Sequence, residues 1–259
     1  MSPTSRFLKT LLAAPLLTAL LAAGTGHAAP ASPGLSESRH IVLPESSGAW
    51  RVVTLAAGNG LQVTIDAEGG LLRSEDGEHW HPVPKAGPEA LRQVAFGAGS
   101  FVAVGDGGTV LVSPDGFRWV RRSSGVKASL RSVAFGHGRF VAVGEAGTVL
   151  TSTQGRSWKR GDSGTESCLR SVAFGNGTFV AVSPSRAILA SADGSHWKRV
   201  HRGNDAYLYA VTFAENQFLT LGDRGLVCRS ANGSDWVPAE TGLLADGGNL
   251  ATNFGHPAK

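Results

Sequence analysis

The chain has 259 residues, of which 42% are hydrophobic and 17% charged, with 35 glycines and a formal charge of +4. That apolar content can fill a core and excludes a disordered chain, which carries more charge and fewer apolar groups. The small net charge excludes a non-specific nucleic-acid binder, which needs a concentrated basic face.

Residues 1–28 have the layout of a signal peptide. Arg6 and Lys9 supply a positive start, residues 10–23 are an apolar run too short to span a bilayer comfortably, and Gly26-His27-Ala28 places small residues at a cleavage point after Ala28. No Cys follows the apolar run, so lipid attachment is not expected there, and removing Arg6 and Lys9 lowers the formal charge to +2. No later stretch approaches the 18 consecutive apolar residues of a membrane span. The expected location is periplasmic or extracellular. Residues 29–49 contain RHIVLP, a candidate ring-closing strand in the position of a fourth strand preceding the first repeat.

From there the chain repeats. Trp80, Trp119, Trp158, Trp197 and Trp236 are each 39 residues apart. LRQVAFG at Leu91, LRSVAFG at Leu130 and Leu169, and LYAVTFA at Leu208 keep the same period. RVVTLAAG from Arg51 reads as a degenerate first copy one residue out of step.

Each unit divides into four short strands. The first is LRSVAFG, and a Gly-x-Gly turn leads to FVAVG, as at Phe101, Phe140 and Phe179. A turn such as Gly105-Asp106-Gly107-Gly108 leads to TVLVS, and a second tight turn leads to a polar strand at the Trp. The first three strands are apolar on both faces, the pattern of strands covered on both sides. The polar fourth strand blunts an exposed edge.

A sheet apolar on both faces must be stacked between others, and repeats of about 40 residues with four strands each point to a β-propeller. The predicted fold is all-β, with five blades over residues 50–246 and a tail over 247–259. A six-bladed ring with a partial last blade stays open, because Asn249–Gly255 faintly echoes a first strand. A β-solenoid is the weaker alternative.

The turn before each Trp recurs as Ser74-Glu75-Asp76-Gly77 to Trp80 and Ser113-Pro114-Asp115-Gly116 to Trp119. The later copies are Ser152 to Trp158, Ser191 to Trp197 with Asp193, and Ser230 to Trp236; Gln154 and Asn232 replace the Asp in two of them. This resembles the Asp-box, or BNR, repeat of sialidases, sortilin-type receptors and the photosystem II assembly-factor family, with one residue fewer between Ser and Trp. Its roles are structural: a short polar side chain bonds amides across the turn, Gly takes positive φ, and Trp covers the gap between blades.

The four-strand meander places residues that begin a first strand beside the loop between second and third strands. Arg92, Arg131 and Arg170 begin first strands, Tyr209 takes that place in the fifth unit, and Arg51 serves in the first. Asp106, Glu145, Asp223 and, out of step, Glu68 lie in the adjoining loops. One rim therefore gathers guanidinium groups beside carboxylates. Two readings follow: ion pairing between blades, or a rim that grips an anion through arginine's planar fork.

The assembly-factor family has an arginine-rich patch built by its repeats and binds a partner protein, and the resemblance implies that Arg92, Arg131 and Arg170 form a similar patch. A monomer binding a protein segment or an acidic glycan is the expectation. The enzyme alternative is a sialidase-like glycosidase using the arginines, Tyr209, Glu145 and Asp106. These occupy equivalent positions of a regular repeat, and the long loops that build such pockets are missing. No other catalytic motif, cofactor fingerprint or metal-ligand spacing is present, so no catalytic residue, cofactor or metal is expected. Cys168 precedes a first strand and Cys228 replaces Leu111, Leu150 and Leu189 of the sister units, which suits a small buried hydrophobe. Pairing of the two in an exported protein stays open.

Overall fold

The computed structural model describes residues 38–44, 50–84, 87–202, 207–222 and 227–238. They form twenty-one strands in five antiparallel sheets. Sheet one holds β1 (Ser38–Pro44), β2 (Trp50–Gly58), β3 (Leu61–Ile65), β4 (Leu71–Ser74) and β5 (His81–Pro82). Sheet two holds β6 (Leu91–Gly97), β7 (Ser100–Gly105), β8 (Val110–Ser113) and β9 (Val120–Arg122). Sheet three holds β10 (Leu130–Gly136), β11 (Arg139–Gly144), β12 (Val149–Ser152) and β13 (Lys159–Arg160). Sheet four holds β14 (Ser171–Gly175), β15 (Thr178–Ser183), β16 (Ala187–Ser191) and β17 (Lys198–Arg202), and sheet five holds β18 (Leu208–Ala214), β19 (Gln217–Gly222), β20 (Val227–Ser230) and β21 (Val237–Pro238). Each sheet is an up-and-down meander in chain order. The protein is a β-propeller of five blades.

Side-chain alternation makes the stack. In β7, Phe101 and Ala103 belong to the cluster shared with sheet one, while Val102 and Val104 belong to the cluster shared with sheet three. Successive strand residues point to opposite faces, so one apolar strand feeds two interfaces. Phe101, Phe140, Phe179 and Phe218 are each 0% exposed. Four such clusters join sheets one to two, two to three, three to four and four to five. The tryptophans seal them: Trp119, Trp158 and Trp236 pack against the rims of their clusters, and Trp197 lies within one.

Three further kinds of contact recur between successive sheets. Gly58, Gly97, Gly136 and Gly175 lie against the rings of Phe96, Phe135, Phe174 and Phe213, so closely that an added Cβ would overlap the ring. Gln93 Oε1 accepts from Val133 N (3.3 Å), Ser132 Oγ from Val172 N (2.9 Å) and Ser171 Oγ from Val211 N (3.1 Å). Asn59 and Asn176 donate to the carbonyls of Gly99 (3.3 Å) and Asn216 (3.2 Å) in the following sheets.

The first repeat, expected out of step, is in phase, since Gly58 meets Phe96 as Gly97 meets Phe135. The strand at 39–44 was expected in the place of a fourth strand. It pairs instead with β2, from Ser38↔Ala56 to Pro44↔Trp50, and gives sheet one a fifth strand.

The turns before the tryptophans are knit as their chemistry suggests. Ser113 Oγ accepts from Gly116 N (2.7 Å), Asp115 Oδ1 accepts from the amides of Phe117 and Arg118 (both 2.9 Å), and Trp119 Nε1 donates to Gly116 O (3.1 Å). Gly116 has φ 69°, a region a side chain rarely adopts. The same bonds recur at Asp76, Asp193 and Asn232. In sheet three, Gln154 takes the Asp position and the buried Ser152 Oγ has no partner.

Since the Phe174 ring fills the space above Gly136, Gly136→Ala should destabilise the fold by about 1–3 kcal/mol. Urea unfolding should show a lower midpoint at an unchanged slope. An unchanged midpoint would contradict this packing.

Candidate functional site

The candidate rim follows from how the meander turns. The loop between β7 and β8 reaches the residue before β6, with Asp106 N donating to Ala90 O (3.0 Å), and Glu145 N donates to Ser129 O (3.0 Å) in sheet three. These bonds set Asp106 and Glu145 beside the second residues of β6 and β10, which are Arg92 and Arg131.

The result is a continuous ladder. Arg92 binds Asp106 through both Nε (2.9 Å) and Nη2. Arg131 hydrogen-bonds Glu145 and also lies 3.8 Å from Asp106 Oδ1, so it bridges two sheets. The Arg92 guanidinium holds the Asp106 carboxyl below the usual range, against the opposing pull of burial, and Arg131 does the same to Glu145. All four side chains are about 30–42% exposed. Pairs this exposed contribute about 0–1 kcal/mol each.

Among the described residues the ladder stops at sheet four. Arg170 occupies the position of Arg92 and Arg131, but Pro184 stands where Asp106 and Glu145 stand in theirs. Among the described residues no carboxylate lies within ion-pair distance of Arg170; its guanidinium lies over the Tyr209 ring, 5.4 Å from the centroid. Arg186, in the loop that carries Pro184, lies over Tyr207 at 5.8 Å. Two arginines and two tyrosines thus cluster between sheets four and five. Cations over aromatic faces are held by the ring quadrupole and keep their hydrogen-bonding edges in plane for other acceptors.

Arg92, Asp106, Arg131 and Glu145 therefore lie along one run, and Arg170 meets Tyr209 at the equivalent position of the next sheet. Asp223, expected with them, lies outside the described residues, as does the side chain of Arg51. Glu68 instead donates its own amide to Asp66 within a tight turn. Sequence reasoning missed Arg186 and Tyr207. The signal was present: Pro184 interrupts the acidic series, and Arg186 follows two residues later. Cys168 sits half-buried among Arg131, Glu145 and Arg170, and burial pushes its thiol pKa up. Both thiols are free, and Cys228 is buried as the Leu replacement predicts.

No protein-family model and no curated protein sequence matches the chain. Solved structures do. The chain is similar to YCF48 bound to a D1 peptide, with TM-score 0.54 and 16% identity over 77% of each chain. It is similar to YCF48 from Cyanidioschyzon merolae, with TM-score 0.52 and 16% identity over 80% of this chain and 86% of that one. It is also similar to a chain of the nidogen/laminin complex, with TM-score 0.55 and 11% identity over 78% of this chain and 89% of that one. At these identities the likeness is one of fold.

The ladder sets an acid limb on stability. The folded pKa values of Asp106 and Glu145 lie below their ordinary values, so the pairs stabilise the fold above that range. Their contribution is lost as pH falls through the folded values. The melting temperature should therefore drop from about pH 4 downward. Asp106→Asn with Glu145→Gln should flatten that drop, and an unaltered acid limb in this variant would contradict the ladder's role.

Proposed function

We propose that this protein is an exported, non-enzymatic binding or assembly module. It holds an acidic segment of a protein partner at the rim where Arg170 and Arg186 lie over Tyr209 and Tyr207. The observation that carries the reading is that, among the described residues, no acid faces Arg170. Arg92 and Arg131 direct their charge at Asp106 and Glu145, whereas Arg170 faces an aromatic ring. A planar guanidinium on such a ring is suited to a carboxylate, bound through two parallel hydrogen bonds. The ring beneath it adds apolar contact for the peptide carrying that carboxylate. A fold neighbour, YCF48, has been seen with a D1 peptide bound, which supports a peptide as ligand here. Export rests on the charged and apolar pattern of residues 1–28.

Acidic glycans share the carboxylate chemistry and are the second ligand class to be tried. Hydrolysis of them is not expected, because Glu145 and Asp106 are committed to arginines along the ladder.

Fluorescence anisotropy with a labelled hexaglutamate peptide tests the reading. Arg170→Ala should weaken binding at least about tenfold, equivalent to 1.4 kcal/mol. Arg92→Ala, which removes an arginine already paired, should change it less than threefold, as expected of a paired surface charge. Equal effects of the two variants, or a fluorogenic sialoside turned over by the protein, would overturn the proposal.

A further inference from the structure

Three kinds of interlock recur between successive sheets: the glycine seat in sheets one to four, the amide acceptor in sheets two to four and the turn donor in sheets one, three and four, while the fifth sheet carries none of them. The glycine that receives the next sheet's Phe ring, at 58, 97, 136 and 175, is Ala214. The side chain that accepts the next sheet's amide, Gln93, Ser132 or Ser171, is Ala210. The turn residue that donates across to the next sheet or its Trp turn, Asn59, His137 or Asn176, is Glu215, whose carboxylate cannot donate to a carbonyl; this donor is also missing at Ala98 of sheet two, so the glycine seat and the amide acceptor carry the contrast.

The burial pattern agrees. Val102 and Val104, Val141 and Val143, and Val180 and Val182 are all 0% exposed on the face toward the next sheet. Their counterparts Leu219 and Leu221 are only half-buried. The opposite face of sheet five is built like the others, with Phe213 seated on Gly175 and Phe218 fully buried. The loss is therefore confined to one side and is not general decay of the repeat.

We infer that the fifth sheet is a built-in stop: a further unit of this kind, from the same chain or from a second copy, cannot seat on it as each unit seats on the one before. An array whose end matched its interior would present a face complementary to any copy of its own inner sheets. Such a head-to-tail contact does not close and leads to open polymers. End repeats that differ from the interior prevent this in stacked-repeat proteins. The inference also bears on Asn249–Gly255, which lies outside the described residues: as the first strand of a sixth blade it would find Ala214 where its Phe254 needs a glycine. It rests on the repeat alone and is independent of the binding role proposed above.

The test uses three full chains, each carrying one extra copy of residues 169–207. One has the copy inserted in the interior, between residues 207 and 208. One has it after residue 246, and one has it after residue 246 together with Ala210→Ser, Ala214→Gly and Glu215→Asn. Limited trypsin digestion read by intact mass reports whether the copy is packed. The interior copy should survive, the copy after residue 246 should be removed to leave a core melting as the unmodified protein does, and the three substitutions should restore survival. Survival of the copy on the native fifth sheet would overturn the inference, as would its removal despite the three substitutions.

Discussion

A sheet whose inner strands are apolar on both faces cannot exist alone in water, and every other feature of this protein is arranged around that constraint. In β7, β11 and β15 each residue between the terminal ones is buried, and neighbouring residues in one strand belong to different interfaces. Burial of apolar area supplies the drive, at about 25 cal/mol per Å². It does not by itself set spacing or order. Those come from the Phe rings seated on Gly58, Gly97, Gly136 and Gly175 and from the amides that bond to Gln93, Ser132 and Ser171.

The same constraint positions the rim. Because each sheet repeats the last with a fixed offset, a residue type recurring at the second position of a first strand recurs in space as a row. Arg92, Arg131 and Arg170 form such a row, and the loops beside them place Asp106 and Glu145 within reach. Symmetry alone yields a neutralised ladder that links blades. Chemistry directed outward needs a departure from symmetry, and Pro184 supplies it by removing one acid. Departures of the opposite kind occur at Ala210, Ala214 and Glu215, where contacts between sheets are withdrawn from one face. Both kinds rest on single residues in an otherwise regular unit.

Much of this is legible in the order of the amino acids. The 39-residue spacing of the tryptophans, the two-faced apolar strands and the polar fourth strands define the sheets and their stacking, and the strand boundaries agree to within a residue or two. The arginine row and its acids are legible as well, since a meander dictates which loops meet. What is not legible depends on approach between sheets. The pairing of β1 with β2 is not encoded in the repeat. Glycines that read as strand ends are seats for Phe rings. Pro184 marks the break in the acidic series near Arg186, but Tyr207 does not recur with the period, and only the packing of sheet four on sheet five brings the two together.

If mutual burial is what holds the sheets, none of the interior ones can open independently. Native-state hydrogen exchange of the amides in β7, β11 and β15, followed against urea, tests this most directly. The account predicts that the three strands share one opening free energy and one urea dependence, because exposing any one face exposes its neighbour's. Separate, shallow dependences for each strand would show sheets that stand by themselves, and the central claim would fail.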